Sequence, residues 1–232
     1  MSVLVVVAHP DDEVIGCGGT LAALAAKGLS VCTCILSGGA KARSARPETA
    51  ILHSDMHSAH ERLGISNEFL GDFPNIQLNT VPHLELVQFI ENAIVETKAD
   101  LIFTHSTGDL NDDHLHTSKA CQVAARLSQR RAGPPPLRAL YFMEILSSTE
   151  WAVGRDAASF IPNAFFEIGE DFLQLKIEAL SRYRGVMRDF PHPRSEEAIR
   201  GLAAYRGCQA GLKYAEAFHS VFTVLNPFLQ GE

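Results

Sequence analysis

The fold is decided by the first residues of the chain, Ser2-Val3-Leu4-Val5-Val6-Val7-Ala8-His9-Pro10-Asp11-Asp12-Glu13. The continuous apolar run over Ser2–Val7, rich in β-branched valine, is typical of a strand that is covered on both faces, as in a parallel sheet. A helical pattern follows from Gly16 to Gly28, where a glycine is a natural stop. The polar residues that begin at His9 therefore lie where a buried strand ends and a helix is about to begin.

Strand and helix patterns alternate along the rest of the chain. Strands are predicted over Val31–Leu36, Leu101–Thr104, Leu140–Ile145 and Val221–Leu225, and helices over Glu48–Leu63, Pro82–Thr97, Asp171–Tyr183 and Ser195–Glu216. Alternation of this kind builds right-handed βαβ units. We predict an α/β, Rossmann-like fold with a largely parallel sheet flanked by helices and an active site at the C-terminal strand ends. Because no long linker or repeat divides the sequence, residues 1–232 are assigned to a single domain.

Charge and composition exclude several classes of function. The formal net charge is −7 and no cluster of Lys and Arg occurs, which argues against a nucleic-acid partner. The apolar start lacks a basic leader and runs into polar residues after Val7, so neither a signal peptide nor a membrane span is predicted. We expect a cytoplasmic protein that acts on a small molecule.

Two polar clusters follow predicted strands, and together they offer a metal site. One is Ala8–Glu13, and the other is Asp109-Leu110-Asn111-Asp112-Asp113-His114. Catalytic zinc commonly has three protein ligands drawn from His, Asp and Glu and keeps one position for water. His9, Asp12 and His114 supply that set, although iron(II) also accepts such ligands.

The adjacent carboxylates of the first cluster suggest a division of labour. Pro10 stiffens the turn, so the side chains of Asp11 and Asp12 point in different directions. Asp12 is then the ligand, and Asp11 is the general base for a water molecule activated by the metal. Taken alone, each cluster is equally well explained by helix N-caps and a loop histidine, but two such clusters at equivalent strand ends favour the metal site.

These residues resemble the LmbE-like or PIG-L family of zinc deacetylases, which remove acetyl groups from N-acetylglucosamine-type sugars and their conjugates. The similarity is carried by Ala8–Glu13, Gly16–Thr20 and Asn111–His114, and more weakly by Ser147–Trp151 and Tyr214–Phe218. The resemblance implies zinc ligands at His9, Asp12 and His114 and a general base at Asp11. It also implies that Asp113 orients a histidine.

The sequence departs from the family pattern at Asn111. Relatives with His-Pro-Asp-His have a histidine at this position, and that histidine polarises the substrate carbonyl. Asn111 and His105 are equal candidates for stabilising the oxyanion, and His116 is a weaker one.

Four residues are candidates for binding the substrate. Arg43 and Arg46 belong to a glycine-rich loop beyond a strand end and could meet a phosphate or carboxylate, although a solvated loop explains them as well. Trp151 could stack on a sugar ring, or it could simply pack against other side chains of the protein. His192, within Phe190–Arg194, is a candidate for the pocket wall.

The function expected from these residues is zinc-dependent hydrolysis of the N-acetyl group of an N-acetylglucosamine-type amino sugar, with release of acetate. A phosphoesterase with the same ligand types is an alternative, but such enzymes often use two ions and the sequence offers one clear ligand set. A catalytically inactive sugar- or metal-binding relative is a second alternative because of Asn111. Members of the family are often oligomeric, so a homo-oligomer fits the resemblance while the assembly state stays open.

Overall fold

The computed structural model describes residues 1–39, 48–153 and 159–225. The strands are β1 Ser2–Val7, β2 Ser30–Ile35, β3 Asn67–Leu70, β4 Leu101–His105, β5 Ala139–Met143, β6 Ala164–Glu167 and β7 Ala215–Thr223. The helices are α1 Asp12–Ala26, α2 Thr49–Leu63, α3 His83–Thr97, α4 Asp112–Ala124, α5 Leu127–Arg130, α6 Gly169–Leu180 and α7 Glu196–Ala210. Two short 3₁₀ turns lie at Leu78–Thr80 and Thr149–Trp151.

The strands form one sheet in the order β3-β2-β1-β4-β5-β7-β6. Strands β1 to β5 are parallel to one another, and β7 is antiparallel to both β5 and β6. The predicted α/β fold with a largely parallel sheet is therefore confirmed. Strand β1 lies between β2 and β4, with Val3 opposite Val31 on one side and Leu101 on the other. The segments that leave β1 and β4 consequently start side by side at one edge of the sheet.

Both faces of β1 are buried, which explains its unbroken apolar sequence. Val3, Val5 and Val7 pack into one hydrophobic cluster, and Leu4 and Val6 pack into a second cluster on the opposite face. All five are fully shielded from solvent. Because each strand alternates between its two faces, a central parallel strand needs apolar residues at every position.

Helix α1 is interrupted at Cys17, where φ is −148° and ψ is 19°. Just after the interruption, the N–H groups of Gly19 and Thr20 donate to the Glu216 carboxylate at 3.1 and 2.7 Å. Lys176 lies 2.6 Å from the same carboxylate, and both side chains are buried. Strand β7 thus supplies a cap for the second half of α1.

The element boundaries differ from the predictions at several places. Helix α1 begins at Asp12 rather than Gly16, and α7 ends at Ala210 rather than Glu216, because Gly211 takes a left-handed conformation at φ 72° that closes the helix. The last strand therefore begins at Ala215 and not at Val221. Strands β3 and β6 and helix α4 were not predicted. Among the described residues, no helix is both long and apolar enough to cross a membrane.

Candidate metal centre and active site

Two turns at the C-terminal edge of the sheet carry the candidate metal-binding side chains. The turn after β1 carries His9 and leads into α1, whose first residue is Asp12. The loop after β4 leads into α4, whose first turn carries His114. All three side chains are buried.

His9, Asp12 and His114 converge on one point. Each offers one ligand atom, and these atoms all lie within 4.8 Å of one another. Asp12 Oδ2 is 3.3 Å from His9 Nδ1 and 3.3 Å from His114 Nε2, and it accepts the His9 backbone N–H at 3.0 Å. The two distant turns are therefore brought together as a compact set of two imidazoles and one carboxylate.

Asp113 contacts the outer nitrogen of His9, which is the ring nitrogen that does not face Asp12. Its Oδ2 lies 3.0 Å from His9 Nε2 and also accepts the Ile76 backbone N–H at 2.6 Å, while Oδ1 accepts the Leu78 N–H at 2.9 Å. The carboxylate is thus fixed by the segment that follows β3. The histidine that Asp113 contacts is His9, which lies in the other cluster.

Asp109 occupies the corresponding position behind His114. Its Oδ1 lies 3.1 Å from His114 Nδ1 and accepts the Asn111 N–H at 2.8 Å. The Ser148 hydroxyl also donates to this carboxylate, and the Thr149 hydroxyl donates to Oδ2 at 2.6 Å. The loop after β5 therefore supports the second imidazole through Asp109.

This arrangement fits a zinc ion. A histidine that binds a metal usually gives its other ring N–H to a carboxylate, which sets the tautomer and orientation of the ring. With Asp113 at Nε2 of His9 and Asp109 at Nδ1 of His114, the nitrogens that remain are the two that face Asp12 Oδ2. Two nitrogens and one oxygen are a typical protein ligand set for catalytic zinc.

The electrostatics of the free site favour ionised carboxylates. Burial opposes ionisation of Asp12, but the charge and hydrogen bonds of His114 and His9 outweigh it and hold the pKa of Asp12 well below its usual range. Burial likewise acts to lower the pKa of His114, yet Asp12 and Asp109 raise it to about 10. The pKa of His9 is also raised, because Asp113 and Asp12 outweigh its burial. The carboxylates thus concentrate negative charge where a cation would bind.

Asp11 has a left-handed backbone with φ 103°. Such a conformation costs a residue other than glycine about 1–3 kcal/mol and persists only where the surroundings enforce it. The Asp11 N–H donates to Glu13 Oε2 at 3.1 Å. Glu13 is itself fully buried and accepts the Tyr183 hydroxyl at 2.6 Å, with His60 Nε2 at 3.2 Å.

The Asp11 carboxylate is held from another part of the chain. Arg194 Nη1 donates to Asp11 Oδ2 at 3.3 Å, and Arg194 Nε donates to Ser147 Oγ at 2.8 Å. The Arg194 side chain is 23% exposed, whereas that of Asp11 is 5% exposed. The guanidinium therefore lies at the mouth of the site and links the turn after β1 to the loop after β5.

His105 and Asn111 differ in how they face the site. His105 is fully buried, stacks on the His114 ring with centroids 3.9 Å apart, and accepts the Ala8 N–H at Nε2. Burial and the neighbouring His114 lower its pKa to about 3, so it is neutral, and because Nε2 accepts a backbone N–H, its one ring proton is on Nδ1. Asn111 is the N-cap of α4, where Oδ1 accepts the Asp113 N–H at 3.0 Å. Its amide nitrogen is not used by that cap.

Of the four predicted substrate residues, the structure describes Trp151 and His192. Arg43 and Arg46 lie outside the described residues. Trp151 is the last residue of the short 3₁₀ turn Thr149–Trp151, and this residue is 61% exposed. His192 is exposed, and its Nδ1 accepts the Arg194 N–H at 3.0 Å. This hydrogen bond of the His192 side chain is therefore local, to a residue two positions later.

Sequence reasoning assigned no role to several residues around the site. Asp109 and Glu13 belong to the two polar clusters, so the sequence indicates that they lie near the site, but it does not predict which groups they contact. Arg194, Tyr183 and His60 carry no local signal, because their contacts join segments far apart in the chain.

Comparison with known proteins places this site in a family. Residues 4–125, just over half of the chain, match the family model PIG-L, described as GlcNAc-PI de-N-acetylase. This match includes both polar clusters. A curated relative, the uncharacterized deacetylase YaiS of Escherichia coli K12, is 26% identical over 78% of this chain and 90% of its own length.

Solved structures with the same fold cover nearly the whole chain. The conserved protein TT1542 from Thermus thermophilus has a TM-score of 0.77 and 28% identity, with both chains covered completely. The N,N′-diacetylchitobiose deacetylase from Pyrococcus horikoshii has a TM-score of 0.77 and 20% identity over 98% of this chain and 87% of its own. GalB, a 4-carboxy-2-hydroxymuconate hydratase from Pseudomonas putida KT2440, has a TM-score of 0.76 and 22% identity over 99% and 100%. By the family match, with the residues of both clusters inside it, the chain belongs to the PIG-L family of GlcNAc-PI de-N-acetylases.

Proposed function

We propose that this protein is a zinc-dependent deacetylase that removes the acetyl group from an N-acetylglucosamine-type amino sugar or its conjugate. The observation that carries the proposal is the convergence of His9, Asp12 and His114, with Asp11 next to them in a strained turn. The family match and the chitobiose deacetylase of the same fold support the choice of an acetylated sugar.

The residues divide the reaction between them. His9, Asp12 and His114 would hold the ion, and a bound zinc would act as a Lewis acid that lowers the pKa of its water to about 7. Asp11 takes a proton from the attacking water as the oxygen of that water forms a bond to the acetyl carbon. Asp11 then returns the proton to the sugar nitrogen as the C–N bond breaks, which releases acetate and a free amine.

Stabilisation of the oxyanion is assigned to Asn111. Its amide nitrogen is not consumed by the helix cap, whereas His105 offers an acceptor at Nε2. Amide side chains serve as oxyanion donors in other hydrolases, where the loss of one costs about 10²–10³ in kcat. Asp113 and Asp109 act on the ring orientation of the two histidines and need not touch the substrate.

The test is an Asp11→Asn variant assayed for acetate release from a panel of N-acetylated sugars that includes N-acetylglucosamine and N,N′-diacetylchitobiose. We expect zinc binding to persist and acetate release to fall by a factor of about 10² or more, because the proton acceptor is lost. Unchanged acetate release from this variant would refute the role of Asp11.

The two alternatives make different predictions in the same assay. A phosphoesterase with two ions would bind about two metal ions per chain, whereas the single ligand cluster found among the described residues predicts one. An inactive relative would bind zinc and release no acetate from any sugar in the panel. Metal analysis and acetate release together therefore separate the three functions.

A further inference from the structure

We infer that Arg194 is a positioning residue for Asp11. This inference rests on the proposed role of Asp11 as the general base. Arg194 lies beyond residues 4–125 that match the family model, and it reaches the site from the segment that precedes α7. It acts through Asp11, and it is not assigned a contact with the substrate.

The backbone of Arg194 is held firmly on both sides. Ser195, the next residue, is the N-cap of α7 and accepts the Ala198 N–H at its hydroxyl. The Arg194 N–H donates to His192 Nδ1, and the Arg194 carbonyl accepts the Arg188 N–H at 3.3 Å. The side chain therefore starts from a fixed point at the beginning of a helix.

The guanidinium is also fixed at its far end. Nε donates to Ser147 Oγ, while Nη1 donates to Asp11 Oδ2. Ser147 has a positive φ of 72°, and its N–H donates to Glu150 Oε1 at 2.6 Å. A planar guanidinium with two donors engaged at once keeps a defined orientation, which a lysine cannot reproduce.

Asp11 needs such a constraint because a base must meet its water with defined geometry. Its backbone is set by Glu13, but rotation about its side-chain bonds would still move the carboxylate. Arg194 holds Oδ2 and so restricts that rotation. A displacement of about 1 Å at a reacting group can cost about 10²-fold in rate, which sets the scale of the expected effect.

The experiment compares Arg194→Ala, Arg194→Lys and Ser147→Ala with wild-type protein carrying zinc, using the sugar of the panel that the wild type hydrolyses fastest. We expect Arg194→Ala to lower kcat by about 10²-fold with KM within about threefold, because only the base is displaced. Added guanidinium ion should restore part of kcat in Arg194→Ala. Arg194→Lys should stay impaired, and Ser147→Ala should show a smaller loss of the same kind.

Arg188→Ala is the matched control, since it removes an exposed arginine side chain of the same segment and keeps the backbone N–H that donates to the Arg194 carbonyl, so its kcat and KM should equal those of the wild type. A rise in KM of tenfold or more with kcat unchanged in Arg194→Ala would overturn the inference by making Arg194 a substrate-binding residue. Wild-type kcat and KM in Arg194→Ala would overturn it as well.

A crystal structure of Arg194→Ala tests the inference without any assay. The inference requires that the Asp11 carboxylate leave its wild-type position while His9, Asp12 and His114 keep theirs. An unmoved carboxylate would refute it. If the wild type releases no acetate from any sugar, the proposed function fails, but the position of the Asp11 carboxylate in this crystal structure still tests whether Arg194 holds it.

Discussion

At the scale of single residues, the candidate centre is built in two layers. His9 and His114 face Asp12, and each has a carboxylate at its outer ring nitrogen, Asp113 for the first and Asp109 for the second. Each of these carboxylates is in turn fixed by backbone or hydroxyl donors. A ring whose outer nitrogen is held presents its other nitrogen in one direction only, so the outer layer should determine affinity for the metal.

Replacing Asp113 or Asp109 by Asn tests this layer. Each change should weaken zinc binding by roughly 10–100-fold, because the amide accepts less strongly and the ring loses its fixed orientation. Competition with a chromogenic chelator measures the affinity. Asp112→Asn is the control, since Asp112 is exposed on the same helical turn and contacts only His116 at 3.4 Å among the ion pairs of the described residues. Equal affinities for Asp113→Asn and wild type would contradict the role of the outer layer.

At the scale of elements, the interrupted helix α1 depends on a side chain from another part of the sheet. The break at Cys17 separates the first turn of α1, which carries Asp12, from the second half, which continues along the sheet to Ala26. Gly16 makes this packing feasible, because a Cβ at this position would clash with the side chains of Met143 and Ile145. Glu216 accepts two N–H groups just after the break.

Glu216→Ala should destabilise the protein by about 3–5 kcal/mol, because it leaves Lys176 as a buried charge without its partner and two N–H groups without their acceptor. Urea unfolding monitored by circular dichroism measures the loss. Glu170→Ala removes exposed ion pairs to Arg200 and Lys213 and is the control, with a much smaller loss expected. Should Glu216→Ala fail to fold, Glu216→Gln, which retains one acceptor oxygen, replaces it. A loss no greater than that of Glu170→Ala would contradict the capping role.

At the scale of the whole molecule, one chain of polar contacts, buried at His60 and Glu13, joins three elements beneath the site. His60 on α2 lies 3.2 Å from Glu13 on α1 and 2.9 Å from Glu68 on β3. Burial acts to lower the pKa of His60, but the two carboxylates raise it to about 9. His60 is therefore charged at neutral pH and balances the buried Glu13, which in turn holds the Asp11 backbone.

The raised pKa of His60 predicts a pH dependence of stability. Its contribution is fully present below the unfolded pKa of 6.5 and is lost as the pH rises through about 9, so it amounts to about 3 kcal/mol at most. The stability gap between wild type and His60→Gln should thus shrink from pH 6.5 to pH 9.5. Urea titrations across this range measure the gap. His57→Gln, at an exposed position of the same helix, should show no such trend, and a gap independent of pH would contradict the assignment.

Much of the fold and of the metal site follows from local sequence. Three local features are each encoded within about a dozen residues: the continuous apolar run of β1, the glycine that ends a helix, and the His-Pro-Asp-Asp turn. Strands, helices and ligand types can therefore be predicted from them. Strands β3 and β6 are short edge strands of four residues, too brief to show a clear period, and helix α4 was hidden because its first turn is the polar cluster itself.

The amino-acid sequence alone predicted the class of fold, the three candidate metal ligands and the candidate base, because these predictions depend on residue chemistry and spacing within short segments. Only the tertiary structure decided which groups hold them. Asp113 meets His9 across 104 residues, Tyr183 meets Glu13 across 170, and Arg194 meets Asp11 across 183. Such pairs arise when the sheet order brings loops from distant parts of the chain to one edge and their buried polar groups pair there, and no local pattern encodes which groups meet.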